Sequence, residues 1–222
     1  MRMVSHELRT PLNSIIGFSE IIADELYGPL GQPQYKDYAE HVRASGLKLL
    51  RLVNQVLEIA RLQGGVSDLI LVAEGLDHAV DDVLHGLAAD AEARNIVVKV
   101  ENRGDLPTVM ADHRGLRTAL GNLIQNALTF TPEGGEVRLR ATRLQGRVRI
   151  EVCDQGEGVA AEDIPRLLRP FEQGGNPLTR TTEGAGLGLP IADLFCQAMG
   201  GTLRLASEQG HGLTATICLP AG

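Results

Sequence analysis

Four short segments carry groups whose types and spacing could do chemistry. The first is Ser5-His6-Glu7-Leu8-Arg9-Thr10-Pro11. His6 falls off the apolar stripe of the following helix pattern, which leaves an exposed imidazole with a carboxylate one residue on. Such a group is either an ordinary surface histidine or a nucleophile or acid/base. A zinc-protease H-E-x-x-H pair is excluded, because position 10 is Thr. The second is Asn122 and Asn126, one helical turn apart and about 40° from each other, with Thr129 on the same flank. They are either a solvated helix flank or two amide oxygens for a hard cation such as magnesium. The third is Asp154-Gln155-Gly156-Glu157-Gly158, directly after a strand pattern. It reads as a turn, or as a carboxylate on a pocket floor with glycines that admit a ligand to the backbone. The fourth is Gly184-Ala185-Gly186-Leu187-Gly188-Leu189, which opens a helix. Its amides and the helix dipole could meet phosphate oxygens. The G-x-G-x-x-G fingerprint is excluded, since Leu189 takes the last glycine position, and no G-K-[ST] of a P-loop occurs.

The elements that must position these groups follow from periodicity. Leu12, Ile15, Ile16, Ser19, Ile22 and Leu26 recur at helical spacing. Gly28-Pro29-Leu30-Gly31-Gln32-Pro33 breaks the pattern. It resumes from Val42 to Ala60 and stops at Gly64. Two helices alone bury too little apolar surface, so this hairpin is expected to pair with a second copy as a four-helix bundle. After Gly64-Gly65 the pattern changes. Helices are expected over Leu76–Ala91, Leu116–Ala127 and Leu187–Met199, with alternating strands over 137–141, 148–152, 203–206 and 213–219. Gln145-Gly146 marks a hairpin turn. Half-polar strands require one face covered by helices, a two-layer α/β sandwich. Residues 159–183 are polar and Gly/Pro-punctuated, and read as a lid.

Composition narrows the possibilities. The chain has 222 residues, enough for one large or two smaller domains, and is 43% hydrophobic. Aromatic residues make up 3%, which disfavours base-stacking platforms for nucleic acid. The net charge of −7 opposes bulk attraction to nucleic acid or anionic lipid. Residues 1–63 carry seven basic and seven acidic groups, whereas residues 64–222 carry 14 and 21. That asymmetry puts the domain boundary at Gly64-Gly65, giving domains 1–63 and 64–222. Cys153, Cys196 and Cys218 lack zinc-site spacing and suit a reducing compartment. No apolar run is long enough to span a membrane.

Taken in order, the four segments resemble the signature boxes of bacterial two-component sensor histidine kinases. His6 to Pro11 is similar to the H box, and Asn122 to Ala127 with Phe130-Thr131-Pro132 to the N box. Asp154, Gly156 and Gly158 resemble the first glycine box, Phe171 the F box, and Gly184, Gly186 and Gly188 the second glycine box. The resemblance spans nearly the whole chain. It implies a dimerisation and histidine-phosphotransfer domain followed by a catalytic ATP-binding domain of the Bergerat fold, with ATP and Mg2+ bound. By that resemblance His6 attacks the γ-phosphate and Glu7 accepts or orients the other ring proton. Asn126 with Asn122 holds magnesium. Asp154 accepts from the adenine amine, and Gly184 to Gly188, Leu187 included, wrap the phosphates. Arg180 is a candidate phosphate contact, and Thr214 a candidate pocket-lining threonine. The implied partners are a second copy and a response-regulator receiver domain, with the chain in the cytoplasm, alone or as part of a membrane-bound sensor. Glu7-x-x-Thr10 also resembles members that dephosphorylate their regulator, with Thr10 orienting a water.

Two departures modify these expectations. Where the N box usually has Lys or Arg, three residues after its second Asn, this chain has Thr129. A missing cation there weakens phosphate binding unless arginines such as Arg180 compensate. Five residues precede His6, which points to a fragment or to a chain that takes its input from another protein. A catalytically weak scaffold and a phosphatase-dominant enzyme are the alternative functions.

Overall fold

A computed structural model describes residues 2–26, 28–64, 68–172 and 185–222, with side chains from residue 12 onward. The chain divides into two compact units, Met1–Gly64 and Gly65–Gly222.

The first unit is a helical hairpin of α1 (Arg2–Ala23) and α2 (Gln34–Gln63). Leu12, Ser19 and Ala23 of α1 and Ala39, Gly46 and Ile59 of α2 are buried along the seam. The Ser19 hydroxyl donates to the Ile15 carbonyl at 2.6 Å, which keeps a polar group satisfied in the seam. Gly46 is there for closeness: a Cβ on it would lie 2.8 Å from Ile16 Cγ1. Ile15, Phe18, Ile22, Val42, Leu49 and Val56 remain 42–67% exposed, a second apolar flank that the hairpin does not cover by itself.

The second unit is a two-layer α/β sandwich, as the half-polar strands require. Five strands lie in the order β2 (Val97–Val100), β4 (Glu136–Leu144), β5 (Arg147–Cys153), β7 (Leu213–Pro220), β6 (Thr202–Ser207). All neighbours are antiparallel except β2 with β4. Gln145 and Gly146 both have positive φ, 50° and 75°, which suits the tight β4–β5 hairpin. A separate antiparallel pair joins β1 (Val72–Gly75) to β3 (Thr108–Ala111). The sequence pattern misses β1, β2 and β3, because four residues show too little alternation to stand out.

Helices α3 (Leu76–Ala93), α4 (His113–Phe130) and α6 (Gly188–Ala198) complete the sandwich, with a single-turn α5 (Ile164–Leu167). Val148, Ile150 and Val152 of β5 and Ala215, Ile217 and Leu219 of β7 alternate with polar residues and are buried at 3% exposure or less. Asp112 caps α4 by accepting from Gly115 N–H at 2.8 Å. A Cβ on Gly115 would lie 3.1 Å from Phe195, so the glycine lets α4 and α6 touch. That contact sets the glycine-rich start of α6 beside the asparagine flank of α4. Among the described residues no helix is long and apolar enough to cross a membrane.

Candidate functional site

The site assembles where α4, the end of β5 and the start of α6 meet. Asn122 donates through Nδ2 to the Thr118 carbonyl at 2.8 Å. This fixes its amide and leaves Oδ1 as an acceptor. Oδ1 faces α6, where a Cβ on Gly188 would come within 3.1 Å of it. Gly188 thus keeps the space in front of an oriented amide oxygen open. Asn126, one turn on, is half-buried and has no hydrogen-bond partner among the described residues. Both suit a hard cation that prefers oxygen ligands.

Asp154 extends the inward-facing parity of β5 and is 8% exposed. Its Oδ1 accepts from Gly156 N–H at 2.8 Å and from Leu213 N–H at 3.0 Å. Burial pushes its carboxyl above the ordinary aspartate range, and the two amide donors pull it partly back. The other oxygen has no described partner, so the carboxyl can accept from a ligand N–H. Side chains are excluded all round it. A Cβ on Gly156 would lie 2.8 Å from the Phe130 carbonyl, and one on Gly158, at φ +65°, would run into the Glu208 carbonyl.

The glycine-rich start of α6 is tied to the F box by its backbone. Phe171 N–H donates to the Gly186 carbonyl at 3.1 Å. Phe171 sits at φ 66° and Gly186 also at 66°, so a non-glycine residue holds a left-handed conformation here. The Phe171 ring is 65% exposed, whereas the Leu187 side chain is 1% exposed. Leu187 therefore anchors the loop in the core, and only its backbone faces outward.

The structure brings together Asn122, Asn126, Asp154, Gly156, Gly158, Gly186 and Gly188. It does not bring in Thr214. Strand alternation puts Thr214 opposite Cys153 on the face away from the helices, where its hydroxyl contacts Cys153 Sγ at 3.4 Å. Thr129 is also turned aside, since Oγ1 donates to the Gln125 carbonyl at 2.8 Å. Arg180 and Gly184 lie outside the described residues. His6, Glu7 and Thr10 belong to α1, with positions 6 and 10 one turn apart, and their side chains lie outside the described part.

Three residues of the site are not evident from sequence. Gly212 is at φ +75°, and a Cβ there would collide with the Asp154 carbonyl. Leu213 contributes only its N–H to Asp154. Ser207 accepts from Val159 N–H at 2.9 Å and donates to the Gly212 carbonyl at 2.6 Å, clamping the floor. The Gly-x-Gly spacing of Gly210 and Gly212 before a strand is the signal for the first. The other two act through backbone or at a distance and leave none.

Fold and site together define an ATPase-type nucleotide domain carried behind a helical hairpin. Residues 111–222 match the histidine kinase-, DNA gyrase B- and HSP90-like ATPase family. Residues 1–65 match the His Kinase A phospho-acceptor domain. The chain belongs to the two-component sensor histidine kinases. It is 37% identical over 221 residues to the non-motile and phage-resistance protein of Caulobacter vibrioides, covering 98% of this chain and 26% of that one. It is 34% identical to the cell-division control histidine kinase PdhS of Brucella abortus, covering 98% of this chain and 22% of the relative. The chain thus spans about a quarter of the length of these curated relatives. Among solved structures, full-length ShkA in complex with AMPPNP superposes with a TM-score of 0.84 at 34% identity, covering 100% of this chain and 45% of that one. The Acinetobacter baumannii histidine kinase AdeS shares the fold with a TM-score of 0.69 at 21% identity, covering 98% of each chain.

Proposed function

We propose that this chain is the kinase core of a sensor histidine kinase that phosphorylates itself on His6 from ATP. One ring nitrogen of His6 attacks the γ-phosphorus, the bond to the β-phosphate oxygen breaks, and ADP leaves. Glu7 accepts or orients the proton on the other ring nitrogen. Asp154 accepts from the exocyclic amine of adenine. The backbone of Gly184 to Gly188 lies along the phosphates, and Arg180 is offered as a further contact. Magnesium, held by Asn126 and Asn122, supplies charge neutralisation on the phosphates. The phosphoryl group then passes to an aspartate carboxylate of a response-regulator receiver domain, breaking the N–P bond. The exposed apolar flank of the hairpin supports a homodimer. The reading places the chain in the cytoplasm, where ATP is supplied.

The observation that carries the proposal is the buried Asp154 carboxyl, with one oxygen bound to two backbone amides and the other available. The test is incubation with labelled magnesium-ATP. The expected product is an acid-labile, alkali-stable phosphoprotein that His6→Ala does not form. Wild-type protein that binds nucleotide and stays unlabelled contradicts it.

One observation favours a second reading, a catalytically weak or phosphatase-dominant member. Thr129 stands where a phosphate-binding cation is usual, and its hydroxyl is folded back onto its own helix. Under that reading Thr129→Lys raises the labelling rate. If phosphatase activity dominates, Thr10→Ala abolishes regulator dephosphorylation.

A further inference from the structure

The charge of the sandwich is strongly segregated. Strand alternation puts Lys99, Arg138, Arg140, Arg147, Arg149 and Arg204 on the sheet face away from the helices, all of them exposed. The carboxylates of the same parity are Glu101, Glu136 and Glu151, so this face carries a net +3. Residues 64–222 hold 14 basic and 21 acidic groups. The remainder of the unit is therefore eight basic against eighteen acidic, net −10. A domain that is acidic overall has gathered six of its cations on one exposed sheet face.

Local pairing neutralises part of this face. Glu136 holds Arg138 at 2.9 Å, and Glu151, 8% exposed, holds Arg140 at 2.7 Å. Even so, the two guanidinium groups keep 54% and 51% of their side chains in solvent. Arg147 is steadied by the carbonyls of Gly200 and Cys218, at 3.1 and 3.3 Å, with no carboxylate. Lys99, Arg149 and Arg204 have no acidic partner among the described residues. The register sets Arg140, Glu151, Thr216 and Arg204 in one row across four strands, so the cations stand on a rigid sheet rather than on loops.

From this placement we infer that the outer sheet face is a docking surface for a carboxylate-rich surface of a partner protein. Five of the six cations are arginine, whose planar fork matches carboxylates in two-point contacts. Arginine is also enriched at protein interfaces, where lysine is depleted. The strands of this face contain no aromatic residue for stacking bases, and its two exposed large apolar side chains, Val97 and Leu144, stand at opposite ends of β4 rather than together as a wedge for a lipid surface. The net −10 elsewhere repels an extended polyanion such as nucleic acid or an anionic membrane, while a compact acidic surface meets only the positive face.

The test uses the full chain and, as the acidic probe, a short polyglutamate peptide compact enough to sit on this face alone, with affinity measured by fluorescence anisotropy at low salt. Arg149→Glu/Arg204→Glu is expected to weaken binding at least tenfold, and the difference should shrink as salt screens the charges. An unchanged thermal transition and nucleotide affinity show that the variant is folded. If it does not fold, the single variants Arg149→Gln and Arg204→Gln are each expected to weaken binding about threefold. The inference is overturned if polyglutamate binding is absent or unaffected by these changes. It is equally overturned if a single-stranded oligonucleotide or a phosphatidylglycerol vesicle binds more tightly than polyglutamate.

Discussion

The hairpin and the sandwich bury their apolar residues in opposite ways. The sandwich closes on itself: Leu116, Leu120, Leu123 and Ile124 of α4 are at most 2% exposed, packed between α6 and the sheet. The hairpin shields a narrow seam and leaves Phe18 67% and Leu49 50% exposed. Helix pairs of this kind gain their stability from a partner, whereas a covered sheet supplies its own core. The difference matches the division of labour proposed here. A nucleotide site needs a rigid, dry floor, and a phospho-acceptor helix needs an accessible face.

The most damaging substitutions are expected in the floor of the sandwich. Gly158→Ala and Gly212→Ala each force a side chain into a positive-φ position against a carbonyl. Both should cost about 2–4 kcal/mol or prevent folding, measured by chemical denaturation. Loss of nucleotide binding should accompany any folded variant. Leu123→Ala comes next, at about 2–5 kcal/mol in the sandwich transition, independent of protein concentration. Phe18→Ala should behave differently. It should leave the sandwich transition unchanged and shift the hairpin's association equilibrium, read by analytical ultracentrifugation across a dilution series. A concentration-independent loss from Phe18→Ala would erase the distinction.

The floor of the sandwich should also respond, more weakly, to pH. Burial raises the Asp154 carboxyl above its ordinary value, so the folded state holds this proton more tightly than the unfolded chain. The ionised group therefore costs stability, and that cost grows as pH rises from the ordinary aspartate range through the folded value. At neutral pH, Asp154→Asn should melt no lower than wild type, because Asn keeps an acceptor for Gly156 and Leu213. Any advantage should vanish in acid, while adenine nucleotide binding falls at least tenfold at all pH values. A clear drop in melting temperature at neutral pH would mean that the charge stabilises the floor.

Much of this arrangement can be read in the sequence because it rests on punctuation and parity. Gln145-Gly146 marks the hairpin turn, and the glycine after Met199 ends α6. Spacing alone puts Asn122 and Asn126 on one flank of α4, while the role proposed for them comes from the family resemblance. What escapes is what depends on partners distant in the chain. The Gly210-x-Gly212 spacing signals a tight turn, but not that the missing side chain of Gly212 makes room for the Asp154 carbonyl. Thr214, expected to line the pocket, is turned by strand parity to the outer face beside Cys153, and it is the neighbouring Leu213 that reaches Asp154, through its backbone. Leu187 lies inside a glycine-rich motif yet buries its side chain, which only the folded structure reveals. The clustering of cations on one sheet face is likewise invisible until β4, β5, β6 and β7 are placed side by side.

The hairpin is proposed to accept on His6 the phosphoryl group of the ATP that the sandwich binds. The most direct measurement is phosphosite mapping of the full chain by mass spectrometry under alkaline conditions, after incubation with magnesium-ATP. A single phosphoryl group on His6, absent from Asp154→Asn, is expected. A phosphoryl group on a hydroxyl side chain or on another histidine, or none in protein that binds ATP, would contradict it.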